Sequence, residues 1–293
     1  MDGHTPDKLL DIDKVIASVK PAWKDRLPRW LVRKIGRLVH VDELNAIWAR
    51  HRDKDTQEFL SAINKDFNVT LVMQKEERMA EAVASSNPIF IANHPLGGPE
   101  SILLMEKIGW HAGFMKMITR KYLLAITPLL PYFLPIPAAN KREEVAAFLQ
   151  GIKDPGPILV FPAGFCSRYL SNGVLFDYEW KSTFIKLART YHRPLVPLYI
   201  EARNSRRFYR LSKLRQMLGI KSSPESILLV DEMFRQNGST ITCTVGKPID
   251  WHLLTPDVND TEWAKRLRQH VYNLSLDADT EFSADIPLTL PEM

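Results

Sequence analysis

Hydrophobic residues change their spacing along this chain near residue 85. Before it they recur at helical intervals, as in Asp42 to His51 and Thr56 to Lys65, so that segment 1–84 reads as a run of helices. After it, short unbroken apolar runs alternate with helical stretches. Pro88-Ile89-Phe90-Ile91-Ala92, Pro157-Ile158-Leu159-Val160-Phe161 and Pro194-Leu195-Val196-Pro197-Leu198-Tyr199-Ile200 have the form of buried strands. Helices are predicted at Ser101 to Gly109, at Lys141 to Ile152 and at Glu179 to Tyr191. Asn140 caps the second with Glu143 as its reciprocal acid, and the third turns Trp180, Phe184, Leu187 and Ala188 inward. Ile227 to Val230 and Thr240 to Val245 read as strands joined through a tight turn at Asn237-Gly238. Asp260 or Thr261 opens a last helix that runs to Leu276.

This alternation predicts an α/β fold, a mixed, mostly parallel sheet flanked by helices, with an antiparallel edge at the hairpin and an N-terminal helical segment. The expected division is a helical cap or membrane-association segment over 1–84, a catalytic α/β domain over 85–277, and a loosely held acidic tail over 278–293.

The stretch from Tyr122 to Asn140 carries no charge and approaches the length of a membrane span. Pro128, Pro131, Pro135 and Pro137 would each remove a helical hydrogen bond, which lipid cannot replace. Two readings remain for it, a buried or interfacial substrate-binding segment and a core hairpin or strand. Two other segments are basic and amphipathic. Leu27, Trp30, Leu31, Ile35 and Leu38 share one helical face between Leu27 and Val39. Phe208, Leu211, Leu214 and Leu218 share another, flanked by Arg207, Arg210, Lys213, Arg215 and Lys221. Such helices either lie in a headgroup layer or dock on the protein's own core.

Composition narrows the picture only slightly. With 45% hydrophobic and 25% charged residues the chain of 293 is ordinary for a folded protein, and a net charge of +5 is modest. Acidic residues are interleaved with basic ones and no nucleic-acid-binding motif is present, so nucleic acid is not an expected partner. Cys166 and Cys243 sit in unrelated contexts, which fits a reduced cytosolic setting better than a disulfide framework. Met1-Asp2-Gly3-His4 is polar, so no export signal is expected. His111 and His192 lack ligand-like spacing, and no metal site is predicted.

The chemistry concentrates in Asn93-His94-Pro95-Leu96-Gly97-Gly98-Pro99-Glu100, which follows the first strand and opens a helix. Pro99 suits the first helical position, where a missing N–H costs nothing. Glu100 in the first turn can then hold one nitrogen of His94, leaving the other to accept a proton from a hydroxyl. The same residues also fit a purely structural His–carboxylate pair. Backbone N–H groups at Gly97-Gly98 or at Gly164 are candidate oxyanion donors. No Gly-x-Ser-x-Gly elbow exists, and Cys166 and Ser167 are the nucleophiles inside a motif.

Asn93-His94-Pro95-x-Gly97-Gly98, Phe161-Pro162-Ala163-Gly164-x-x-Ser167-Arg168, Asn204-Ser205-x-x-Phe208-Tyr209-Arg210-Leu211 and Gly246-Lys247-Pro248-Ile249 occur in that order. Together they resemble the glycerolipid (lysophospholipid) acyltransferase family over roughly residues 85 to 250. Within it they look most like a bacterial, hemolysin-like branch that includes acyltransferases finishing ornithine and glycine lipids. The resemblance implies acyl transfer from a thioester to a lysolipid hydroxyl, with His94 and Glu100 catalytic. It implies a substrate site at Asn93, Gly97, Gly98, Phe161, Pro162, Gly164, Ser167, Arg168 and Arg203. No cofactor is implied beyond an acyl-carrier-protein or coenzyme A thioester as co-substrate. The implied partners are that donor, a lysolipid and the inner face of the cell membrane. A non-catalytic, membrane-active protein on the same fold is the alternative. Two departures stand out. Pro99 occupies the position of the family's usual aspartate, and Ala163 and Cys166 replace the acid and arginine of its phosphate-binding block. An acceptor other than lysophosphatidate, such as an amino-acid-headed lysolipid, is therefore expected.

Overall fold

The structure, a computed structural model, describes residues 7–12, 27–169, 174–219 and 224–290. Three helices come first, α1 (Arg29–Leu38), α2 (Val41–His51) and α3 (Thr56–Phe67). Strand β1 (Thr70–Gln74) and helix α4 (Glu76–Ser85) lead into β2 (Ile89–Ala92), α5 (Pro99–Ala112), β3 (Lys116–Thr119) and β4 (Phe133–Pro135). Helix α6 (Arg142–Lys153), β5 (Ile158–Val160), the small pair β6 (Arg168–Tyr169) and β7 (Leu175–Phe176), and α7 (Thr183–Tyr191) follow. The described chain closes with β8 (Leu195–Glu201), α8 (Arg206–Met217), α9 (Leu229–Arg235), β9 (Thr240–Val245) and α10 (Asp260–Asn273).

Seven strands form one sheet in the order β1-β9-β8-β2-β5-β3-β4. β2 lies at its centre, parallel to β8 and β5, with Ile89 opposite both Leu195 and Ile158. β9 runs antiparallel to β8 and parallel to β1. The run Ile89-Phe90-Ile91-Ala92 is fully buried because both faces of the sheet are covered. Alternate residues serve the two sides. Phe90 and Ala92 join Trp48, Phe59, Leu60 and Leu104 in one core. Ile89 and Ile91 join Phe184, Trp263, Leu267 and Val271 in the other.

The α/β class and the mostly parallel sheet match the expectation, while several local elements differ. Thr70–Gln74, inside the segment expected to be helical, is an edge strand whose residues are exposed or half-buried, so it lacks a strong apolar signal. Ile227 to Val230 is not a strand. A 3₁₀ turn, Pro224–Leu228, passes directly into α9, and short apolar runs do not separate these states by spacing alone. Asn237-Gly238 therefore connects a helix to β9 rather than two strands, and the antiparallel pairing is β8 with β9. Finally, α6 starts at Arg142 with no side-chain cap, while Glu144 rather than Glu143 reaches back to the Ala138 N–H. Asn259 caps α10 in place of Asp260 or Thr261.

The proline-rich stretch resolves into two 3₁₀ turns, Lys121–Ala125 and Thr127–Tyr132, and strand β4. Leu129, Tyr132, Phe133 and Leu134 are buried, while Tyr122, Leu130 and Ile136 face solvent. Among the described residues no helix is long and apolar enough to cross a membrane.

His270 in α10 is fully buried and neither ring nitrogen has a protein partner. Burial pushes its pKa down to about 4 from 6.5, so the folded protein keeps it neutral. As pH falls from 6.5 towards 4 the unfolded chain gains a proton that the fold refuses, and stability drops by about 3 kcal/mol over that window. Urea unfolding of His270→Leu against wild type between pH 7 and 4 should show this part of the acid destabilisation removed.

Candidate active site

β2 delivers the His94 loop to the carboxyl edge of the sheet, where sites in such folds gather. Asn93 is buried and clamps the neighbouring strand. Its Oδ1 accepts from the Ile200 N–H at 2.7 Å and its Nδ2 donates to the Ile200 carbonyl at 2.9 Å. The chain then turns through Gly97 at φ +90°, where a Cβ would come within 3.1 Å of Cys166 Cβ. Glycine is required there by backbone conformation and by the closeness of the second loop. Pro99 opens α5.

Glu100 sits 1% exposed beneath this turn and organises it. Its Oε1 accepts from the Leu96 and Gly97 N–H groups at 2.8 and 3.0 Å, and Oε2 accepts from Gly98 at 3.1 Å. The same Oε1 lies 3.1 Å from His94 Nδ1, close enough to form an ion pair once the imidazole is protonated. Burial alone would raise the Glu100 pKa. The His94 charge and the backbone donors outweigh it and hold the carboxyl below its usual range. The extra methylene of Glu over Asp therefore still reaches the imidazole. It also engages the Gly97 and Gly98 N–H groups, and Gly164 N–H donates to Phe161 O at 3.0 Å, so none of these three is free for an oxyanion.

The His94 ring packs at a tilt against Phe161, with centroids 4.3 Å apart, and its side chain remains 13% exposed. Nδ1 is buried against the carboxylate, whereas Nε2 has no partner among the described residues. The Phe161–Arg168 loop meets the His94 loop directly, because Ser167 N–H donates to the His94 carbonyl at 2.8 Å. Pro162 is buried, and Gly164, at φ +66°, is exposed with its carbonyl bound by Arg120.

Arg168 is not where a substrate-gripping role requires it. It is 2% exposed, lies over the Phe208 ring, and donates to the Cys166 and Ser167 carbonyls. Its ion partner is the buried Glu225 at 3.3 Å. Cys166 is equally withdrawn, and burial pushes its thiol pKa up despite the Arg168 charge beside it. Arg203 is exposed. With Tyr169, Asn204, Arg206, Tyr209 and Glu232 it lines a cleft of about 380 Å³. The imidazole is not part of that lining. Asn204 ties the cleft to the loop by donating to the Pro95 and Leu96 carbonyls at 3.2 and 3.3 Å.

One residue at the junction escaped the sequence reading. Asp177, fully buried, accepts from the His94 N–H at 3.1 Å and the Ser167 hydroxyl at 2.6 Å through Oδ1, and from the Trp180 indole at 2.9 Å through Oδ2. A lone aspartate in a connecting segment carries no motif, and only the fold brings its partners together.

The carboxyl-edge site and the order of its loops define an acyltransferase. A family model described as Acyltransferase matches residues 14–280, and the chain belongs to that family. It is similar to the lyso-glycine lipid O-acyltransferase of Bacteroides thetaiotaomicron, 32% identical over 91% of this chain and 97% of that protein. The lyso-glycine lipid O-acyltransferase of Phocaeicola vulgatus is likewise 32% identical, over 91% of this chain and 95% of its own. Among solved structures, the 1-acyl-sn-glycerophosphate (LPA) acyltransferase of Thermotoga maritima aligns over 90% of this chain and 98% of its own, at 14% identity and a TM-score of 0.43. That likeness is too distant to bear on substrate.

Because Arg168 shares the buried Glu225 with Arg215, Arg168→Ala should cost stability, about 2 kcal/mol in urea unfolding, by leaving that carboxylate a single guanidinium partner. A variant with wild-type stability and only a raised acceptor KM would show that the guanidinium serves substrate instead.

Proposed function

We propose that this chain moves a fatty acyl group from an acyl thioester to the hydroxyl of a lysolipid, with His94 as general base and no acyl-enzyme. The observation that carries this reading is the ring of His94 set with Nδ1 against the buried Glu100 carboxylate and Nε2 without a partner among the described residues. A proton on Nδ1 leaves the Nε2 lone pair for the acceptor hydroxyl. Nε2 takes the hydroxyl proton as the oxygen attacks the thioester carbonyl. The C–S bond then breaks, and the thiol leaves with the proton returned from the imidazolium, so an ester and a free thiol are formed. Glu100 steadies the imidazolium between these two transfers. A buried Cys166 with a raised thiol pKa supports direct transfer over a covalent intermediate. Coenzyme A or an acyl-carrier protein supplies the thioester.

The acceptor in this reading is a lyso-aminolipid, and the names of the two relatives support that choice. So does the commitment of Arg168 to Glu225, which removes the arginine expected to grip a phosphate. An amino acid joined to a fatty chain through its amine keeps a free carboxylate, which guanidinium groups recognise well. Arg203 and Arg206 line the cleft beside the His94 loop and have no carboxylate partner among the described residues, whereas Arg235 in the same cleft pairs with Asp231. Glu232, also in the cleft, is occupied by the Ser205 N–H and hydroxyl.

A surface role at the inner face of the cell membrane completes the reading. α8 buries Phe208 but leaves Leu211, Leu214 and Met217 at 42%, 51% and 75% exposure, so most of its apolar stripe does not dock on the protein's own core. Arg206, Arg207, Arg210 and Lys213 surround those side chains, a combination suited to an anionic headgroup layer. Lys221, expected on the same segment, lies outside the described residues. On α1, Trp30 is exposed while Leu27, Leu31, Ile35 and Leu38 are half-buried.

His94→Ala should lower thiol release by roughly 10²–10⁴-fold with purified protein, and the lyso-aminolipid should accumulate in cells carrying it. Full turnover by that variant would end the base assignment. For the acceptor, KM should be roughly tenfold lower for a lyso-aminolipid acid than for its methyl ester, and Arg203→Gln with Arg206→Gln should bring that ratio towards one. An acid and ester used equally well by wild type would remove the carboxylate reading.

A further inference from the structure

We propose that Asp177 is a positioning residue for the base, fixing the main chain of His94 against the Ser167 loop and placing a second negative charge behind the imidazole. This rests on the His94 reading given above.

The geometry is more than a packing contact. One oxygen of Asp177, Oδ1, receives both the His94 N–H at 3.1 Å and the Ser167 O–H at 2.6 Å. Ser167 in turn donates its own N–H to the His94 carbonyl at 2.8 Å. Both main-chain polar groups of His94 are thereby tied to one staple, and the staple joins the loop after β2 to the loop after β5. With Cα held at N–H and C=O, and the ring held by Glu100 and Phe161, the imidazole has little freedom left. Such restriction is what a base needs to meet a hydroxyl at a defined distance and angle.

The support of Asp177 extends outward on every side. Its Oδ2 receives the Trp180 indole at 2.9 Å. Its own N–H donates to the Tyr272 hydroxyl at 2.9 Å, and its carbonyl accepts from Arg268 at 3.4 Å. α10 thus holds the main chain of Asp177 with a phenol and a guanidinium. Burying a carboxylate completely is expensive, and a neutral side chain would serve packing alone at lower cost. Burial raises its pKa, although Ser167, Trp180, the His94 N–H and the His94 charge all pull the other way. The titratable and charged groups facing it are His94 from the base loop and Arg268 and Tyr272 from α10. The imidazole is the group among these whose charge changes during turnover, so a fixed carboxylate behind it favours the imidazolium as it forms.

Asp177→Asn keeps the shape and removes the charge. Thiol release should fall roughly tenfold in kcat with both substrate KM values changed by less than about twofold. The acid limb of the kcat profile should move to lower pH by on the order of one unit, because the imidazolium loses a favourable neighbour. Asp177→Glu, which restores charge at imperfect geometry, should move the acid limb back towards wild type. Ser167→Ala removes one donor and leaves the charge, so it should lower kcat without moving the limb. It also decides the question should Asp177→Asn fail to fold, since undiminished kcat in Ser167→Ala would overturn the staple. Wild-type kcat and an unmoved acid limb in a folded Asp177→Asn would overturn the proposal while leaving His94 as base. Full activity in His94→Ala would remove the base assignment itself, and this inference with it.

Discussion

A buried carboxylate needs partners, and in this protein that need shapes the centre of the molecule. Glu100 has almost no contact with water, so its two oxygens are satisfied by three consecutive backbone N–H groups and by the imidazole. Those bonds bend the chain between β2 and α5 into a turn that returns His94 towards its acid. The glycines at 97 and 98 allow the bend, and Pro99 starts the helix that carries Glu100. The sheet presents this unit at its edge because β2 is the central strand, held parallel on both sides.

The second loop depends on the first. Cys166 packs against Gly97, Ser167 binds the His94 main chain, and Arg168 turns away to Glu225. What resembles a phosphate-binding block in sequence is, in space, a buttress for the His94 loop. Guanidiniums with no carboxylate partner among the described residues lie one loop further on, at Arg203 and Arg206.

How much of this could be read from the chain follows from sequence distance. His94 and Glu100 are six positions apart on a strand–turn–helix unit, so local rules place them together. The central strands were legible because they are buried on both faces and lack polar interruptions. β1 was not, since an edge strand with half-exposed residues resembles a surface segment. Ile227 to Val230 shows the opposite failure, because four apolar residues suit a buried strand and a helical turn equally well. Arg168 was expected at the substrate, but sequence says nothing about which way a side chain points, and it turns to Glu225. Asp177 needed partners 83 and 10 positions away, which no spacing rule supplies.

The pairing of β1 with β9 has a consequence for how the protein is made. Thr70 finds its neighbour only at Thr240, so the first strand to leave the ribosome is among the last to be matched. Until then an open ladder of N–H and C=O groups stands beside the early helices, inviting association with other chains. Pairing of that strand is a late, long-range event in maturation, and it favours slow folding.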